Sequence, residues 1–296
     1  MKHKAIILTS YLALVLSCKT ETKTTEAKTV NTVNTETTMT DLKTIVNNGQ
    51  DAFFKNYSEE GIRTYFDENY IQHNPHTPTG IAPVIQFLPA LKEAGTTYKT
   101  HRLLQDGNLV VAHNTYDNAE AFGAKEMVTF DIYRIENNKI AEHWDAVTPK
   151  VTETASGRSQ IDGPTVIVDL DKTETNKKII KNFMKDVMMG ENPSKITDYI
   201  STETYKQHNT AVKDGLDGLN EAIAYLTSQN NMFVYKKVHK ILGEGNFVFT
   251  QSEGEWNGGK PYAFYDLYRL KDGKIVEHWD VIQEVPTKQA HTNGMF

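Results

Sequence analysis

Two stretches of the chain show helical periodicity first and strand-like alternation afterwards. In the first stretch, apolar spacing predicts helices that begin near residue 40, at residues 59–66 and at residues 81–94. Four strand-like runs follow at residues 97–105, 109–116, 126–136 and 139–147, with hairpin residues such as Asp106-Gly107-Asn108 between them. This order predicts an α+β fold, in which N-terminal helices pack in a curved antiparallel sheet that encloses a cone-shaped cavity.

The second stretch repeats the first, so the chain is one module written twice. Glu142-His143-Trp144-Asp145 recurs as Glu277-His278-Trp279-Asp280, and Gln72-His73-Asn74 recurs as Gln207-His208-Asn209, both 135 residues later. Helices are predicted at residues 176–189, 194–200 and 216–227, and strands at residues 234–242, 247–255, 262–270 and 275–281. We therefore predict module one at residues 40–150, a linker at residues 151–171 and module two at residues 172–296.

The N-terminus has the composition of a targeting segment. Lys2 and Lys4 precede an apolar run that ends at Leu16 and is too short for a stable membrane span. Residues 1–17 are typical of a bacterial lipoprotein signal peptide with Cys18 as the acylated residue; the alternative is an ordinary signal peptide with an incidental cysteine. Residues 18–39 contain no aromatic residue and are predicted to be a disordered tether. We expect a lipid-anchored protein of the cell envelope.

Charge and cysteine usage narrow the classes of partner and site. The formal net charge is −6 and the sequence shows no basic stripe, which argues against nucleic acid as a partner. Cys18 is the only cysteine, so a disulfide framework, cysteine catalysis and cysteine-based zinc sites are excluded. The histidines have no compact metal-binding spacing, and there is no glycine-rich phosphate loop. We expect neither a metal nor a cofactor.

Both modules resemble the SnoaL-like polyketide-cyclase group of the nuclear-transport-factor-2-like superfamily. The resemblance lies in the Gln-His-Asn segments and in the ending Gly273-Lys274-Ile275-Val276-Glu277-His278-Trp279-Asp280. The linker around Gly157-Arg158-Ser159-Gln160 and the tail Asn293-Gly294-Met295-Phe296 resemble a subgroup described as catalysing aldol condensations. The resemblance implies a cone-shaped fold, an aspartate on the sheet as the acid/base, and pairing through the sheets, here as a domain–domain pseudo-dimer.

Asp131 and Asp266 are the first candidates for the acid/base role. Alternation places Tyr133 on the face of Asp131 and Tyr268 on the face of Asp266. A carboxylate walled by aromatic residues has a raised pKa, which suits a base that abstracts a proton next to a carbonyl. The alternative is a carboxylate that pairs with an arginine or a tyrosine hydroxyl to fix the fold.

The histidines are candidates for the groups around that aspartate. His73 and His208 are expected at the cavity mouth, where they would donate to a carbonyl oxygen; the alternative is an anchor that bonds a backbone carbonyl. In module one, His113 is expected to join His73 and Asp131. Module two has Gln251 at the position of His113, followed by Glu253, so we expect the two modules to differ in activity.

The last strand of each module carries a second His–Asp pair. His143 and Asp145 share one face, as do His278 and Asp280, so each histidine is expected to pair with its aspartate and gain a raised pKa. We count both histidines among the pocket residues. The favoured alternative is a polar ladder that only registers neighbouring strands.

These residues support three hypotheses about function. The first is a cofactor-free acid/base enzyme of the aldol-condensation, cyclisation or isomerisation type, acting on a small carbonyl compound in an apolar pocket. The second is a non-catalytic lipoprotein that binds a small apolar or aromatic ligand. The third is a structural protein. Catalysis predicts a buried aspartate with a raised pKa beside a cavity, binding predicts an ion-paired aspartate, and a structural role predicts pockets filled by aromatic side chains.

Overall fold

The computed structural model describes residues 41–296. The predicted signal peptide, the tether and the acylation of Cys18 concern residues outside this range. Among the residues it describes, no helix combines the length and the apolar character that crossing a membrane requires.

Module one has the predicted order of elements. Its helices and strands are α1 (Leu42–Phe54), α2 (Glu59–Tyr65), β1 (Phe66–Gln72), α3 (Ile81–Ala94), β2 (Thr97–Asp106), β3 (Leu109–Asp117), β4 (Glu126–Glu136) and β5 (Lys139–Pro149). The sheet order is β1-β5-β4-β3-β2, in which β1 pairs with β5 in parallel and the other pairs are antiparallel. Gly95 ends α3 in the left-handed conformation, with φ of 66° and its N–H bonded to Leu91 and Lys92 carbonyls.

Module two repeats this topology. Its elements are α4 (Thr173–Phe183), a π-helical turn (Met184–Met188), α5 (Ile196–Tyr199), β6 (Lys206–Gln207), α6 (Gly215–Ser228), β7 (Val234–Glu244), β8 (Phe247–Trp256), β9 (Lys260–Lys271) and β10 (Lys274–Glu284). The sheet order is β6-β10-β9-β8-β7, again with one parallel pair, β6 with β10. The mixed α+β architecture with two curved five-stranded sheets matches the predicted fold class.

Strand alternation divides each sheet into two buried faces. In module one, Val110, Ala112 and Tyr133 face the helices and pack against residues of α1 and α3. The opposite face carries Phe130, Ile132 and Trp144. These residues belong to one core cluster with Phe247, Phe249, Tyr265 and Trp279 of module two. Each buried aromatic or aliphatic side chain contributes about 1.5–3 kcal/mol, so this shared cluster is a major source of stability.

The two modules exchange contacts reciprocally. The Arg102 guanidinium lies 4.2 Å from the ring centre of Trp279, and the Lys240 amine lies 3.9 Å from that of Trp144. The C-terminal tail crosses to module one, where Ala290 N–H donates to the Pro75 carbonyl at 2.8 Å. The linker crosses to module two in the same way, where Ala155 N–H donates to the Thr210 carbonyl at 3.0 Å.

Candidate functional site

A cavity of about 70 Å³ lies between the helices and the sheet of module one. Most of its wall is aromatic or aliphatic. The apolar residues that line it are Phe53, Phe54, Phe66, Tyr70, Val84, Phe87, Tyr116, Phe122 and Tyr133. The polar residues that line it are Gln72, Asn74, Thr77, Asp131, His143 and Asp145. An apolar pocket with a few convergent titratable groups is the common form of a small-molecule site.

Strand register brings the titratable groups together. Asp131 on β4 and Asp145 on β5 are cross-strand partners, and His143 lies two residues before Asp145 on the same face. One ligand atom from each of the three side chains lies within 4.8 Å of the others. Both side chains line the cavity. The expected pairing of His143 with Asp145 is incorrect, because His143 Nε2 faces Asp131 across the sheet.

Asp131 is held as a hydrogen-bond acceptor by four side chains. Its carboxylate accepts from Asn114 Nδ2 at 2.8 Å, Tyr116 Oη at 2.9 Å and His143 Nε2 at 3.1 Å, and also from the Thr129 hydroxyl. It is 1% exposed. Four donors thus occupy the lone pairs of both Asp131 oxygens.

His143 is positioned as an imidazolium. Gln72 Oε1 accepts from the backbone N–H groups of His73 and Asn74, both at 2.9 Å, so this oxygen is an acceptor and His143 Nδ1, 3.0 Å away, donates to it. Nε2 faces the Asp131 carboxylate. Burial alone lowers the pKa of His143, but the Asp131 hydrogen bond and the charges of Asp145 and Asp131 outweigh it and raise that pKa.

Asp145 has fewer partners than Asp131. Asn74 Nδ2 donates to both of its oxygens, at 3.0 and 2.8 Å, and among the described residues no other side chain donates to it. Burial raises the pKa of Asp145, the Asp131 charge adds to this effect, and His143 opposes it. Asp145 therefore has lone pairs that no described side chain occupies, and burial favours its protonated form.

His73 lies on the opposite side of the sheet from the cavity. Its ring stacks on Trp144 at 4.7 Å, Nε2 lies 2.8 Å from Glu142, and Nδ1 lies 2.8 Å from the Gly294 carbonyl. The expected position at the cavity mouth is thus incorrect, and the geometry is that of the alternative, a histidine that anchors a loop. Neighbouring residues of an extended segment point to opposite sides, which sends Gln72 and Asn74 to the cavity instead.

His113 also lies away from Asp131, contrary to the expectation. Asp131 pairs across the sheet with Ala112, so His113 shares the other face with Val111. There its ring stacks on Phe130 at 4.3 Å, and Arg102 Nη1 donates to Nδ1 at 3.1 Å. Burial lowers the pKa of His113, and the Arg102 charge lowers it further.

Module two contains the same His–Asp pair. His278 Nε2 lies 3.0 Å from Asp266 Oδ1, and His278 Nδ1 lies 2.9 Å from Gln207 Oε1. Asp266 also accepts from Tyr235 Oη at 3.1 Å. Tyr268 stacks on His278 at 5.0 Å, as Tyr133 stacks on His143 at 4.8 Å.

The other candidates of module two do not reach Asp266. His208 stacks on Trp279 at 4.6 Å, and its Nδ1 lies 2.7 Å from the Ser159 carbonyl of the linker. Gln251 Nε2 donates to Tyr265 Oη at 2.6 Å, on the face shared by the two sheets. Glu253 pairs with His239 at 3.1 Å. Strand alternation explains these positions as it does for His73 and His113.

The sequence interpretation missed several residues that hold the titratable groups of the cavity. Asn114, Tyr116 and Thr129 bind Asp131, while Gln72 and Asn74 hold His143 and Asp145. The repeated Gln-His-Asn segment contains a signal for Gln72 and Asn74, because alternation places the central histidine on one side and both of its neighbours on the other. For Asn114 and Tyr116, the register of β3 on β4 had to be known first.

The Asp–His–Asp sets in both modules have the composition of a metal site. Asp131, His143 and Asp145 form one set, and Asp266, His278 and Asp280 form the other. In module one, however, Asn114, Tyr116 and Thr129 direct N–H and O–H groups at Asp131, and His143 Nε2 faces the same carboxylate. These donors stabilise a carboxylate–imidazolium pair, and they fit that pair better than a cation.

Parts of this chain are similar to known proteins. Residues 51–143 match the family model described as the SnoaL-like domain. TsrD from Streptomyces laurentii is 17% identical, with 36% of this chain and 87% of that chain covered and a TM-score of 0.31. An LEH-like epoxide hydrolase from M. tuberculosis is 17% identical, with 38% and 85% covered and a TM-score of 0.30. An NTF2-like protein from Mesorhizobium loti is 18% identical, with 38% and 94% covered and a TM-score of 0.32. No curated protein matches the sequence significantly.

Proposed function

We propose that module one is a cofactor-free acid/base catalyst that moves a proton next to the carbonyl group of a small compound. This chemistry underlies reactions of the aldol-condensation, cyclisation and isomerisation type. The observation that carries the proposal is Asp145, a buried carboxylate with a raised pKa that lines an aromatic cavity and has a single side-chain donor, Asn74. The raised pKa makes Asp145 a stronger base than an ordinary aspartate, as proton abstraction next to a carbonyl requires.

Asp145 thus takes the role that the sequence assigned to Asp131. In the proposed step, an Asp145 oxygen accepts the proton from the carbon next to the carbonyl, and the electron pair of the C–H bond forms an enolate. Returning that proton to another carbon gives isomerisation. Attack of the enolate carbon on a second carbonyl forms a C–C bond and an alkoxide, and the alkoxide takes the proton back from Asp145 to give the aldol or cyclised product. Asp131 holds His143 as a cation beside the cavity, where its charge stabilises the enolate.

Tyr70 is the proposed donor to the enolate oxygen. Its hydroxyl accepts from Gln72 Nε2 at 3.2 Å, so its own proton is available for donation, and Tyr70 lines the cavity. Burial and the Asp145 charge raise the pKa of Tyr70, which keeps the hydroxyl protonated at neutral pH. The proposed oxyanion donor is therefore a tyrosine, where His73 or His113 was expected.

The cavity volume limits the substrate. About 70 Å³ is roughly half of the ~150 Å³ that holds benzene in an engineered protein cavity. A carbonyl compound with a few heavy atoms fits this space, and a polyketide needs movement of wall residues such as Phe53, Phe87 and Phe122. The small size supports an aldehyde or a short ketone as the substrate class.

The tandem arrangement is also part of the proposal. We propose that residues 40–150 and 172–296 are two SnoaL-like domains of the aldol-condensation subgroup, paired as an intramolecular pseudo-dimer with module one active. The repeated strand order, the shared core cluster and the exchanged tail and linker support this pairing. Asn293 Nδ2 of the tail donates to the Gln72 carbonyl at 2.9 Å, so module two helps to hold the segment that carries Gln72 and Asn74.

Envelope localisation through an acylated Cys18 completes the proposal and rests on the sequence alone. Mass spectrometry of the protein from bacterial membranes should find a lipid-modified Cys18 as the first residue. An unmodified N-terminus would remove the anchor from the proposal and leave the chemistry of module one untouched.

Deuterium exchange tests the chemistry directly. Aldehydes and ketones with roughly three or four heavy atoms, a size set by the cavity, are incubated with the protein in D₂O and followed by NMR. We expect the wild type to accelerate exchange next to the carbonyl, and Asp145→Asn to lower this rate by about 10²–10⁴-fold. Asp280→Asn is the matched control in module two and should exchange at the wild-type rate. Exchange that survives in Asp145→Asn would contradict the proposed base.

The ion pair of Asp131 with His143 supports one second candidate, a non-catalytic binding function. Binding without exchange distinguishes the two functions. A compound that raises the melting temperature, by an amount that grows with its concentration, but shows no exchange would favour the binding protein.

A further inference from the structure

A second concave surface lies in module two, between α4 and the terminal strand β7. This groove has a volume of about 980 Å³. Its apolar residues include Met184, Val238 and Ile241. Seven lysines also line it: Lys177, Lys178, Lys181 and Lys185 on α4 and its π-helical continuation, and Lys236, Lys237 and Lys240 on β7. The groove does not include the Asp266–His278 pair.

The charge of this groove opposes the charge of the whole chain. Glu174 is the single carboxylate among its lining residues, whereas the chain carries a net charge of −6. Lys177, Lys185 and Lys236 pair with Asp106, Glu191 and Glu255. The remaining four, Lys178, Lys181, Lys237 and Lys240, make no ion pair within residues 41–296. Several amines without counter-charges repel one another, and an anionic ligand would relieve this repulsion.

The equivalent groove of module one shows that the fold does not require these lysines. It lies between α1 and β2, has a volume of about 470 Å³ and is lined by Asp51, Lys55, Tyr98 and Thr100 among others. Asp51 accepts from Lys55 at 3.2 Å and from Tyr98 Oη at 2.9 Å. The basic character is therefore specific to module two.

Protection of a sheet edge explains part of the pattern. Lysines and β-bulges on a terminal strand prevent pairing with another sheet, and β7 has both. The four lysines of the facing helical wall need a different reason, because a helix has no edge to protect. Exposed Lys178 and Lys181 on that wall face the groove without a counter-charge.

We propose that this groove binds an extended acidic peptide segment of a partner protein. Alternate side chains of an extended segment point in opposite directions, so acidic groups can meet the lysine walls while apolar ones meet Met189, Val238 and Ile241. The helical lysines span about 12 Å at 1.5 Å per residue, which matches about four residues of extended chain. The Lys240 amine points away from this groove, because it lies over Trp144 and donates to Gln251 on the face shared by the two sheets.

The sequence concealed this surface because its lysines come from two segments. Lys185 and Lys236 are separated by 50 intervening residues, and only the fold places α4 beside β7. The expectation that the chain has no basic stripe is thus incorrect for module two. A groove with an apolar floor favours a peptide over a nucleic acid, which would contact the rims alone.

Fluorescence anisotropy on the full-length protein tests the proposal. The probe is a labelled peptide that alternates Glu and Val, compared with a peptide of the same composition whose glutamates are contiguous. We expect the alternating peptide to bind more tightly, and the affinity to fall as salt is raised. The double variant Lys178→Gln, Lys181→Gln should bind about tenfold more weakly. Lys55→Gln, in the groove of module one, is the matched control and should bind as the wild type does.

Three results would overturn the proposal. The first is equal affinity of the wild type and the Lys178/Lys181 variant. The second is equal affinity for the two peptides, which would reduce the interaction to net charge. The third is tighter binding of a single-stranded oligonucleotide of equal charge. Because both lysines are exposed, the substitutions should leave the fold intact, which the circular dichroism spectrum checks.

Discussion

Modules one and two share a strand order and a buried His–Asp pair, but they differ in what surrounds that pair. In module one, Asn114, Tyr116 and Thr129 donate to Asp131. The cross-strand register gives the equivalent residues of module two as Ser252, Gly254 and Phe264. Three polar donors around a cavity are thus replaced by a small hydroxyl, a glycine and an aromatic ring.

Aromatic packing supports Asp266 where polar donors support Asp131. Phe264 packs against Tyr235 at 4.5 Å, and the Tyr235 hydroxyl reaches Asp266 from β7. A Cβ atom at Gly254 would collide with the Val234 carbonyl oxygen, so module two has no room for a tyrosine equivalent to Tyr116. The comparison teaches that the two modules share the His–Asp pair and differ in the residues beside it. In our proposal, these residues decide whether a module has a site for chemistry.

The largest expected difference between the modules concerns their buried aspartates. Asp131→Asn leaves His143 and three donors around an amide that cannot accept all of their hydrogen bonds, and should lower the free energy of unfolding by about 3–5 kcal/mol. Asp266→Asn should cost less, because Asp266 has fewer donors. Urea denaturation of both variants measures the difference. Equal losses would show that the additional donors of module one contribute nothing to stability.

The next largest effect is expected when Thr129 and Phe264, which occupy equivalent positions in the two modules, are exchanged. Phe264→Thr removes a buried ring and should cost about 3 kcal/mol, because it leaves a cavity beside Asp266. Thr129→Phe is the reciprocal variant. It should fill the cavity of module one and abolish binding of any carbonyl ligand, at a cost of about 1–3 kcal/mol. Thermal denaturation with and without ligand reports both quantities, and a ligand that still stabilises Thr129→Phe would place its site elsewhere.

The fold could be predicted from the sequence further than the site could. Helical periodicity, alternation and the 135-residue repeat predict the elements. Alternation also correctly places Asp131 and Tyr133 on one face of β4 and Phe130 on the other. Alternation within one strand does not tell which residues of β3 share a face with Asp131 of β4. The prediction that His113 lies beside Asp131 fails for this reason. The same limit applies to the groove of module two, because its lysines become neighbours only after α4 packs along β7.

Replacement of Asp145 should raise stability and lower activity. Burial and the Asp131 charge raise its pKa, so its ionised form costs stability above that pKa. Asp145→Asn removes the cost and should raise the free energy of unfolding at pH 7 by roughly 0.5–2 kcal/mol while exchange activity is lost. Asp280 also has a raised pKa through burial but is more exposed, so Asp280→Asn should gain less. A melting temperature that falls in Asp145→Asn would indicate a structural carboxylate.

The smallest expected effect concerns the His–Asp pair that both modules contain. The pKa values of His143 and His278 are raised: burial lowers them, but the aspartates outweigh it. A histidine with a raised folded pKa stabilises the protein fully below its unfolded value of about 6.5, and this stability is lost as the pH rises through the folded pKa. His73, His101 and His113 have lowered pKa values and act on the acid side of 6.5, whereas burial lowers the pKa of Lys240 to about 8, so that Lys240 adds stability as the pH rises above that value.

Urea denaturation between about pH 6 and pH 8, below the pKa of Lys240, therefore compares the two pairs. The free energy of unfolding should fall as the pH rises. His143→Gln and His278→Gln should reduce that dependence by similar amounts, because Nε2–carboxylate distances of 3.1 and 3.0 Å make the two pairs equivalent. If one variant removed all of it, the two pairs would differ in charge state as well as in surroundings. The functional asymmetry would then begin at the His–Asp pair itself and not at the residues beside it.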